Sequence, residues 1–165
     1  MGFLDKFLGL AKQKDEIIIK APVEGEAVQL SEVSDPTFGE GILGQGMAIR
    51  PTSGRIVSPV DGTVQLMFDT GHAVSILSDA GTEVLVHVGL DTVKLEGKHY
   101  TIHTKSGAAV KAGDLLMECD MKAIAADGYD TITPVIICNS TDYKTVECVA
   151  DKSVKELDNI ITLAK

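Results

Sequence analysis

The stretch that decides the fold runs from residue 72 to residue 88 and reads HAVSILSDAGTEVLVHV. Two apolar, β-branched runs flank the polar turn SDAG, which is the pattern of a β-hairpin. Each run carries one histidine near its outer end, His72 in the first and His87 in the second. If Leu77 pairs with Thr82, the two imidazoles lie directly opposite each other, with Cβ atoms about 4.5–5.5 Å apart. A shift of one residue in the register would remove this direct pairing.

Two adjacent imidazoles fit three interpretations. One ring can carry a phosphoryl group while the other donates a hydrogen bond to it. Alternatively, both rings can bind a metal, which then needs at least one further ligand. The third interpretation is a structural pair within the sheet. The residues alone leave these three open. The sequence has no GxxxxGK[ST] loop, so a phosphate taken from ATP by that route is not expected.

The rest of the chain predicts an all-β fold, an antiparallel β-sandwich or barrel of duplicated type with one or two short helices. Between Ile17 and Cys148 the sequence consists of short apolar or alternating runs separated by turn residues. The predicted strands are Ile17–Lys20, Glu26–Leu30, Leu43–Ile49, Gly54–Val57, Thr63–Phe68, His72–Leu77, Glu83–Val88, Thr92–Leu95, Leu115–Cys119, Thr131–Cys138 and Thr145–Cys148. A short helix is predicted over Met121–Ala126 with Asp120 as its cap. Residues 153–165 fit either a helix or a closing strand.

The duplication is visible as an internal echo. Residues 21–30 read APVEGEAVQL and residues 58–66 read SPVDGTVQL, in each case a Pro-Val-acid-Gly turn that leads into a strand. Repeated supersecondary units indicate a duplicated sheet architecture. A chain of this size builds a single core, so one domain is expected over residues 15–165.

The N-terminal residues 1–14 are predicted to be an amphipathic helix followed by a polar linker. Phe3, Leu4, Phe7 and Leu8 share one helical face. Such a short helix is marginal in water by itself. Weak contact of residues 1–11 with a membrane surface, or packing on the domain, would stabilise it.

Composition limits the compartment and the partners. With 15 Lys and Arg against 24 Asp and Glu, the net charge is −9, which disfavours nucleic acid and favours neutral or basic partner surfaces. Three cysteines without a Cys-x-x-Cys motif indicate reduced, structural thiols, and Cys119 and Cys138 lie in apolar runs that favour burial. The sequence shows neither a membrane-spanning run nor a secretory signal. We expect a cytoplasmic monomer, peripheral to the inner face of the membrane at most.

Several motifs in a fixed order resemble the glucose-class enzyme IIA of the bacterial phosphoenolpyruvate:sugar phosphotransferase system. They are Thr70–Ile76, Glu83–Val93, Ala21–Gly25, Gly44–Pro51, Ser58–Thr63 and Thr133–Val135. The resemblance covers nearly all of the chain. It implies a phosphocarrier that accepts a phosphoryl group from the protein HPr and transfers it to the cysteine of a sugar-specific IIB domain, alone or within a IIBC permease.

The resemblance also implies a role for each histidine. His87 corresponds to the residue that is phosphorylated on Nε2, and His72 to the second histidine, which stabilises the phosphoryl group and is needed for onward transfer. The Gly89 carbonyl is expected to fix the His87 tautomer through Nδ1, and the Thr70 hydroxyl to orient the ring of His72. No cofactor is required. The resemblance implies that the facing histidines can hold zinc when a partner supplies a carboxylate.

A docking surface around the histidines is implied as well, apolar with an acidic fringe. Its apolar members are Phe38, Ile42, Leu43, Phe68, Leu85 and Val93, and its acidic members are Asp35 and Asp91. From the residues alone, Leu43 and Leu85 are more typical of a core. The sequence departs from the family pattern at Pro36-Thr37, at Gly71, and near Leu157, where a turn glycine is missing. These departures leave partner preference and any regulatory role open.

Two other protein classes share parts of the pattern. Residues 107–123 resemble the hairpin of a lipoyl or biotinyl carrier, with Lys122 as the modified lysine, although the residues after Lys122 favour a helix over a return strand. A zinc peptidase on a duplicated β scaffold would draw on His99 and His103, but the sequence has no His-x-His pair. Exposed surface histidines are the favoured interpretation of these two.

Overall fold

A computed structural model describes residues 16–165 and confirms the all-β prediction for them. Within that range there are fourteen strands, two short α-helices and three 3₁₀ helices. The strands are β1 (Glu16–Lys20), β2 (Gly25–Gln29), β3 (Gln45–Pro51), β4 (Arg55–Val57), β5 (Gly62–Met67), β6 (Ala73–Ser78), β7 (Glu83–His87), β8 (Tyr100–Ile102), β9 (Ala109–Val110), β10 (Leu115–Cys119), β11 (Thr133–Ile137), β12 (Thr145–Cys148), β13 (Lys152–Val154) and β14 (Asn159–Ala164). The helices are α1 (Pro36–Gly39) and α2 (Met121–Ala126), with 3₁₀ turns at Leu30–Glu32, Thr92–Leu95 and Ser140–Asp142. The predicted helix and linker of residues 1–14 lie outside the described residues.

The strands form one large sheet and two small ones. The eight-stranded sheet has the order β13-β2-β3-β11-β7-β6-β5-β9, and the three-stranded sheets have the orders β1-β14-β12 and β4-β10-β8. All paired strands are antiparallel. The main core lies between the large sheet, which contributes Ile49 and Ile76, and the small sheets, which contribute Ile161 and Leu116. A second, smaller cluster, which includes Phe38, Leu90 and Ile136, covers the other face.

The duplication is present in the hydrogen bonding. The amide of Lys20 donates to the carbonyl of Pro59 at 3.0 Å, and the amide of Val57 donates to the carbonyl of Pro22 at 2.8 Å. Each copy of the Pro-Val-acid-Gly turn is therefore bonded to the strand that precedes the other copy. The order of the large sheet agrees, since β2-β3-β11 on one side matches β5-β6-β7 on the other.

The predicted register of the deciding hairpin is wrong by one residue. Leu77 lies opposite Glu83, and Ala73, not His72, lies opposite His87. The amide of Ser78 donates to the carbonyl of Thr82 at 2.8 Å, which leaves a three-residue loop, and Gly81 ends that loop with φ 92°. Three-residue hairpin loops commonly end in a left-handed glycine, and that preference determines the pairing here.

Other differences concern short elements. The predicted strand Thr92–Leu95 is a 3₁₀ helix that follows the left-handed Asp91 (φ 59°). Residues 159–164 form the closing strand β14 and not a helix. The sequence prediction did not include β8, β9, β13 or α1, which have only two to four residues each and so carry little periodicity. Helix α2 is as predicted, with Asp120 accepting a hydrogen bond from the amide of Ala123 at 3.1 Å.

The cysteines are all free, but only one is buried. Cys119 lies in the core, whereas Cys138 and Cys148 are exposed. Burial of Cys138 was therefore predicted wrongly, because this residue comes directly after β11 ends at Ile137. Among the helices of residues 16–165, none has the length and apolar character needed to span a membrane.

Candidate functional site

The two predicted histidines meet at the end of the hairpin. His87 is the last residue of β7, and His72 comes directly before β6. The amide of Val88 donates to the carbonyl of His72 at 2.7 Å. The ring centroids of His72 and His87 are 5.0 Å apart, with the ring planes at 78°. The rings are neighbours despite the shifted register. His72 lies just before the first residue of β6, where the chain leaves the strand direction at the left-handed Gly71 (φ 74°).

Each ring is held through its Nδ1 atom. The Nδ1–H of His87 donates to the carbonyl oxygen of Gly89 at 2.7 Å. The Nδ1 of His72 is hydrogen-bonded to the hydroxyl of Thr70. A carbonyl only accepts, so the proton of a neutral His87 is on Nδ1 and its Nε2 carries a lone pair. Both contacts expected from the sequence are present, and they leave the two Nε2 atoms available for chemistry.

The turn that carries the Gly89 carbonyl is built for glycine. Gly89 has φ 87°, and a Cβ there would lie 2.6 Å from Cγ2 of Thr92 and 3.0 Å from the carbonyl oxygen of Asp130. The amide of Gly89 donates to Ile132 at 3.1 Å, and that of Leu90 donates to Asp130 at 2.9 Å. These bonds anchor the turn to the chain that leads into β11.

The surroundings keep both rings neutral near pH 7. Burial, and after it the proximity of His87, lowers the pKa of His72 from its ordinary value of 6.5 to about 4. Burial also lowers the pKa of His87, while the hydrogen bond to Gly89 and the charges of Asp35 and Asp91 oppose that shift. A neutral imidazole is the nucleophilic form. The nearby carboxylates would favour any positive charge that develops on the His87 ring.

Two phenylalanines flank the pair. The ring centroid of Phe38 is 4.8 Å from that of His87, and the centroid of Phe68 is 5.2 Å from that of His72. Phe38 is buried in helix α1, whose N-terminus is capped by Asp35, which accepts from the amide of Thr37 at 3.0 Å. The sequence prediction did not include this helix, although its cap and the following proline are typical of a helix start.

The remaining predicted docking residues differ in exposure. Ile42 is 69% exposed, Val93 52% and Leu43 39%. Leu85 is half-buried against the smaller core cluster, Asp35 is partly exposed and Asp91 is exposed. Apolar side chains with this exposure are typical of contact surfaces.

Leu66 is an exposed apolar residue on the same face that the sequence prediction missed. It is 48% exposed and lies opposite Ser75, which in turn lies opposite Leu85. Simple alternation would place it inward with Val64, but a bulge between Val64 and Leu66 reverses its direction. A bulge in the middle of a strand has no signal in this sequence.

Thr92 and Tyr100 support the site from behind and were also missed. Both hydroxyls donate to the carbonyl oxygen of Val88, each at 2.8 Å. The segment with Thr92 was predicted to be a strand and that with Tyr100 was not assigned, so nothing in the sequence placed them together.

The histidine pair alone does not complete a zinc site. Structural and catalytic zinc sites use at least three protein ligands, usually four. Within residues 16–165 there is no group of three His, Cys, Asp or Glu side chains that could hold a metal ion. His72 and His87 would supply at most two ligands of such a site, and the others would have to come from another molecule.

The structure gives no support to the two alternative classes. Lys122 lies in helix α2 and not in a hairpin turn, so the carrier geometry is absent. His99 pairs with Asp127 (Nε2 to Oδ2 2.7 Å) and His103 with Glu118 (Nε2 to Oε1 2.9 Å). The two pairs are separate. His103 is exposed as predicted, whereas the side chain of His99 is only 17% exposed, so that part of the prediction was wrong.

Comparisons with known proteins agree with this geometry. A family model described as phosphoenolpyruvate-dependent sugar phosphotransferase system, EIIA 1, matches residues 17–143. The glucose-specific EIIA component of Oceanobacillus iheyensis is 41% identical over 150 residues, which cover 91% of each protein. The solved structure of glucose permease IIA from Mycoplasma capricolum superposes with a TM-score of 0.83 at 35% identity, covering 89% of this chain and 95% of that one.

Other relatives are much longer proteins. The beta-glucoside-specific EIIBCA component of Dickeya chrysanthemi is 50% identical over 141 residues, which cover 86% of this chain but 22% of that protein. This chain spans about a fifth to a quarter of the beta-glucoside-specific relatives that it matches.

Proposed function

The chain belongs to the EIIA 1 family of the phosphoenolpyruvate-dependent sugar phosphotransferase system, and from this premise we propose that it carries a phosphoryl group on Nε2 of His87. The observation that supports the proposal is the hydrogen bond from His87 Nδ1 to the Gly89 carbonyl at 2.7 Å. It fixes the tautomer in which Nε2 is the nucleophile.

The transfer needs only the ring and a phosphorylated donor. The Nε2 lone pair of His87 attacks phosphorus, and the bond between phosphorus and the donor's nitrogen breaks as the new N–P bond forms. The Nδ1 proton stays on the ring, where the Gly89 carbonyl holds it. The ring then carries positive charge, which Asp35 and Asp91 favour and which makes the imidazole a good leaving group for the next transfer. Such transfers depend mainly on positioning and electrostatics.

His72 is the residue that acts on the phosphoryl group. Its ring is 5.0 Å from that of His87, and its Nδ1 is hydrogen-bonded to Thr70, which leaves Nε2 free. An Nε2–H in this position donates a hydrogen bond to a phosphoryl oxygen. This interaction stabilises the transferred group during its passage to the acceptor.

The donor that we propose is HPr, and the acceptor is the cysteine of a sugar-specific IIB domain. The relatives named EIIBCA join this type of domain to IIB and IIC domains in one chain. An apolar face with Phe38, Ile42, Leu43, Phe68, Leu85 and Val93, fringed by Asp35 and Asp91, suits partners with an apolar patch and basic residues. The net charge of −9 agrees with basic partners and not with nucleic acid.

The location, the oligomeric state and the need for cofactors also remain proposals. The protein acts as a cytoplasmic monomer, with residues 1–11 giving weak contact to the inner face of the membrane. No cofactor takes part in the transfer. Zinc held by His72 and His87 requires a carboxylate from a partner, and calorimetry with zinc in the presence and absence of that partner tests this.

The deciding experiment is phosphorylation in a reconstituted system. The protein is incubated with phosphoenolpyruvate, enzyme I and HPr, and the acid-labile phosphate is mapped by mass spectrometry. One phosphoryl group on His87 is expected. His87→Ala should accept none, whereas His72→Ala should accept phosphate but fail to donate it to a IIB domain.

The other two histidines provide the matched controls. His99→Ala and His103→Ala should leave both half-reactions unchanged, because each of these rings pairs with a carboxylate of its own and not with His72 or His87. Labelling of a histidine other than His87, or no labelling of the unaltered protein, would contradict the proposal.

A further inference from the structure

The backbone of Val88 connects the two histidine segments. Its amide donates to the His72 carbonyl at 2.7 Å, and its carbonyl accepts from the hydroxyls of Thr92 and Tyr100, each at 2.8 Å. All the polar atoms of Val88 are thus engaged. The next carbonyl along the chain is that of Gly89, the group that holds the His87 proton.

The Cβ of Tyr100 lies against the segment that precedes His72. A Cβ built on Gly71 would come within 2.9 Å of Cβ of Tyr100 and 3.1 Å of Cγ1 of Ile102, so the chain at Gly71 lies directly on this residue. Tyr100 therefore contacts both histidine segments, with its Cβ at Gly71 and its hydroxyl at Val88. Strand β8 holds it in place, with Tyr100 opposite Cys119 of β10.

We propose that Tyr100 is a positioning residue for phosphoryl transfer: with Thr92 it fixes the Val88 carbonyl, and thereby the Gly89 carbonyl that selects the reactive tautomer of His87. This inference rests on the proposed function for its effect on transfer. The tautomer itself is a property of the free protein. The hydroxyl of Tyr100 bonds the Val88 carbonyl and not a reacting atom, so its effect is exerted through the Val88–Gly89 peptide.

The geometry explains why two donors are used. A carbonyl oxygen has two lone pairs, and that of Val88 accepts from two hydroxyls. Two bonds to one oxygen restrict rotation of the peptide plane more than one bond does. Because Gly89 has no side chain to limit its own rotation, the plane that precedes it needs this support.

The test compares two tyrosines whose hydroxyls are hydrogen-bonded to opposite ends of the same hairpin. Tyr100→Phe removes the bond at the histidine end, and Tyr143→Phe removes the bond between the Tyr143 hydroxyl and Thr82 (2.7 Å) at the loop end. Tyr100 and Tyr143 are both half-buried. Two readouts are taken: the tautomer of His87 by ¹⁵N NMR on the unphosphorylated protein, and the rate of phosphorylation by HPr.

We expect Tyr100→Phe to raise the fraction of His87 that is protonated on Nε2 and to slow phosphorylation about fivefold, the rate equivalent of the ~1 kcal/mol that a hydrogen bond contributes. Tyr143→Phe should change neither. In the Tyr100→Phe background, Thr92→Ser should add no further loss because it keeps the hydroxyl, whereas Thr92→Val should increase both effects.

The outcomes separate the inference from the proposed function. If the unaltered protein is not phosphorylated on His87, the proposed function fails, and the tautomer measurement still judges Tyr100. If the unaltered protein is phosphorylated and Tyr100→Phe matches it in rate and tautomer, the inference is overturned. Equal losses in Tyr100→Phe and Tyr143→Phe would also overturn it, because they would show a general effect on the hairpin.

Discussion

The amide of Val88 donates to the carbonyl of His72 at 2.7 Å, so the residue that follows one histidine is fixed to the backbone of the other. The two rings keep their 5.0 Å separation through this backbone bond and through their own Nδ1 contacts. Such a site is preorganised, which lowers the cost of reaching the transfer geometry. Changes to the backbone near Val88 should therefore affect chemistry as well as stability.

Gly89→Ala tests this dependence on the backbone. The alanine meets two penalties: a left-handed conformation (φ 87°) and a Cβ 2.6 Å from Cγ2 of Thr92. Gly81→Ala is the matched control, because Gly81 has φ 92° with nothing within 4 Å of an added Cβ. We expect Gly81→Ala to lower the free energy of unfolding by about 1 kcal/mol, with little change in phosphorylation rate. Gly89→Ala should lower it by about 2–4 kcal/mol and slow phosphorylation at least tenfold. If the two variants lowered the free energy of unfolding and the phosphorylation rate equally, close packing at Gly89 would not matter for the site.

Thr70→Val separates the two half-reactions. The change keeps the shape of the side chain but removes the hydroxyl that is hydrogen-bonded to Nδ1 of His72. His87 keeps its own contact with Gly89, so acceptance from HPr should stay within about twofold of the unaltered protein. Donation to IIB should fall about tenfold, because the ring that stabilises the phosphoryl group loses its orientation. Thr70→Ser retains a hydroxyl and should restore donation, and an equal loss in both half-reactions would count against this division of roles.

Stability should depend on pH through the histidine pair. The folded-state pKa of His72 is about 4, below its ordinary value of 6.5, so the unfolded chain binds a proton more readily. The contribution of the neutral ring is complete above about pH 6.5 and is lost as the pH falls from there towards 4. The lowered pKa of His87 acts in the same direction. Urea unfolding in the presence of a chelator should show a larger loss between pH 8 and pH 5 for the unaltered protein than for His72→Gln. Parallel losses would show that other groups determine the pH dependence.

The sequence was sufficient to predict the histidine pair but not the way in which the pair forms. The alternating residues around His72 and His87 predicted a hairpin with both rings at one end, which the 5.0 Å separation confirms. The register came out one residue away, because the sequence does not distinguish a three-residue loop that ends at Gly81 from a four-residue turn. Direct cross-strand pairing of His72 with His87 was therefore the wrong explanation for the contact between their rings. That contact depends on the backbone around Gly71, where the chain departs from the strand direction.

Features that depend on distant contacts could not be predicted. The outward direction of Leu66 results from a bulge, and the meeting of Thr92 and Tyr100 at Val88 results from packing of β8 beside the hairpin. Local periodicity contains neither. By contrast, the Pro-Val-acid-Gly echo predicted the duplication, because a repeated turn is a local pattern that folds in the same way twice.

The docking surface can be tested with one charge placed near the histidines and one placed far from them. Val93→Asp puts a carboxylate on the proposed surface, where burial against an apolar partner patch leaves it unpaired. Leu77→Asp is the control, because Leu77 is also exposed but lies four residues along β6 from Ala73, about 13 Å from the histidine end. We expect Val93→Asp to raise KM for HPr about tenfold with kcat little changed, and Leu77→Asp to leave both near normal. The reverse pattern would indicate that HPr contacts the sheet near Leu77 and not near the histidines.

A second pair of equivalent turns, at residues 111–114 and 155–158, allows a test of backbone strain. Lys111 donates its amide to Oδ2 of Asp114 at 2.9 Å, and Lys155 donates to Oδ2 of Asp158 at 2.8 Å, so the two turns are equivalent. The left-handed position holds Gly113 (φ 97°) in one turn and Leu157 (φ 72°) in the other.

A leucine in the left-handed region costs about 1–2 kcal/mol, whereas asparagine adopts it more readily. Leu157→Asn should therefore raise the free energy of unfolding by about 0.5–1 kcal/mol, after the loss of the half-buried apolar contact near Gly113 is subtracted. Gly113→Ala should lower it by about 1–2 kcal/mol, since it adds the same strain and a Cβ 3.2 Å from Cδ1 of Leu157. Both values can be measured by urea unfolding at pH 8, where His72 and His87 are neutral in both states. If Leu157→Asn is destabilising, packing of the leucine outweighs its backbone strain, and the missing glycine in this turn is compensated locally.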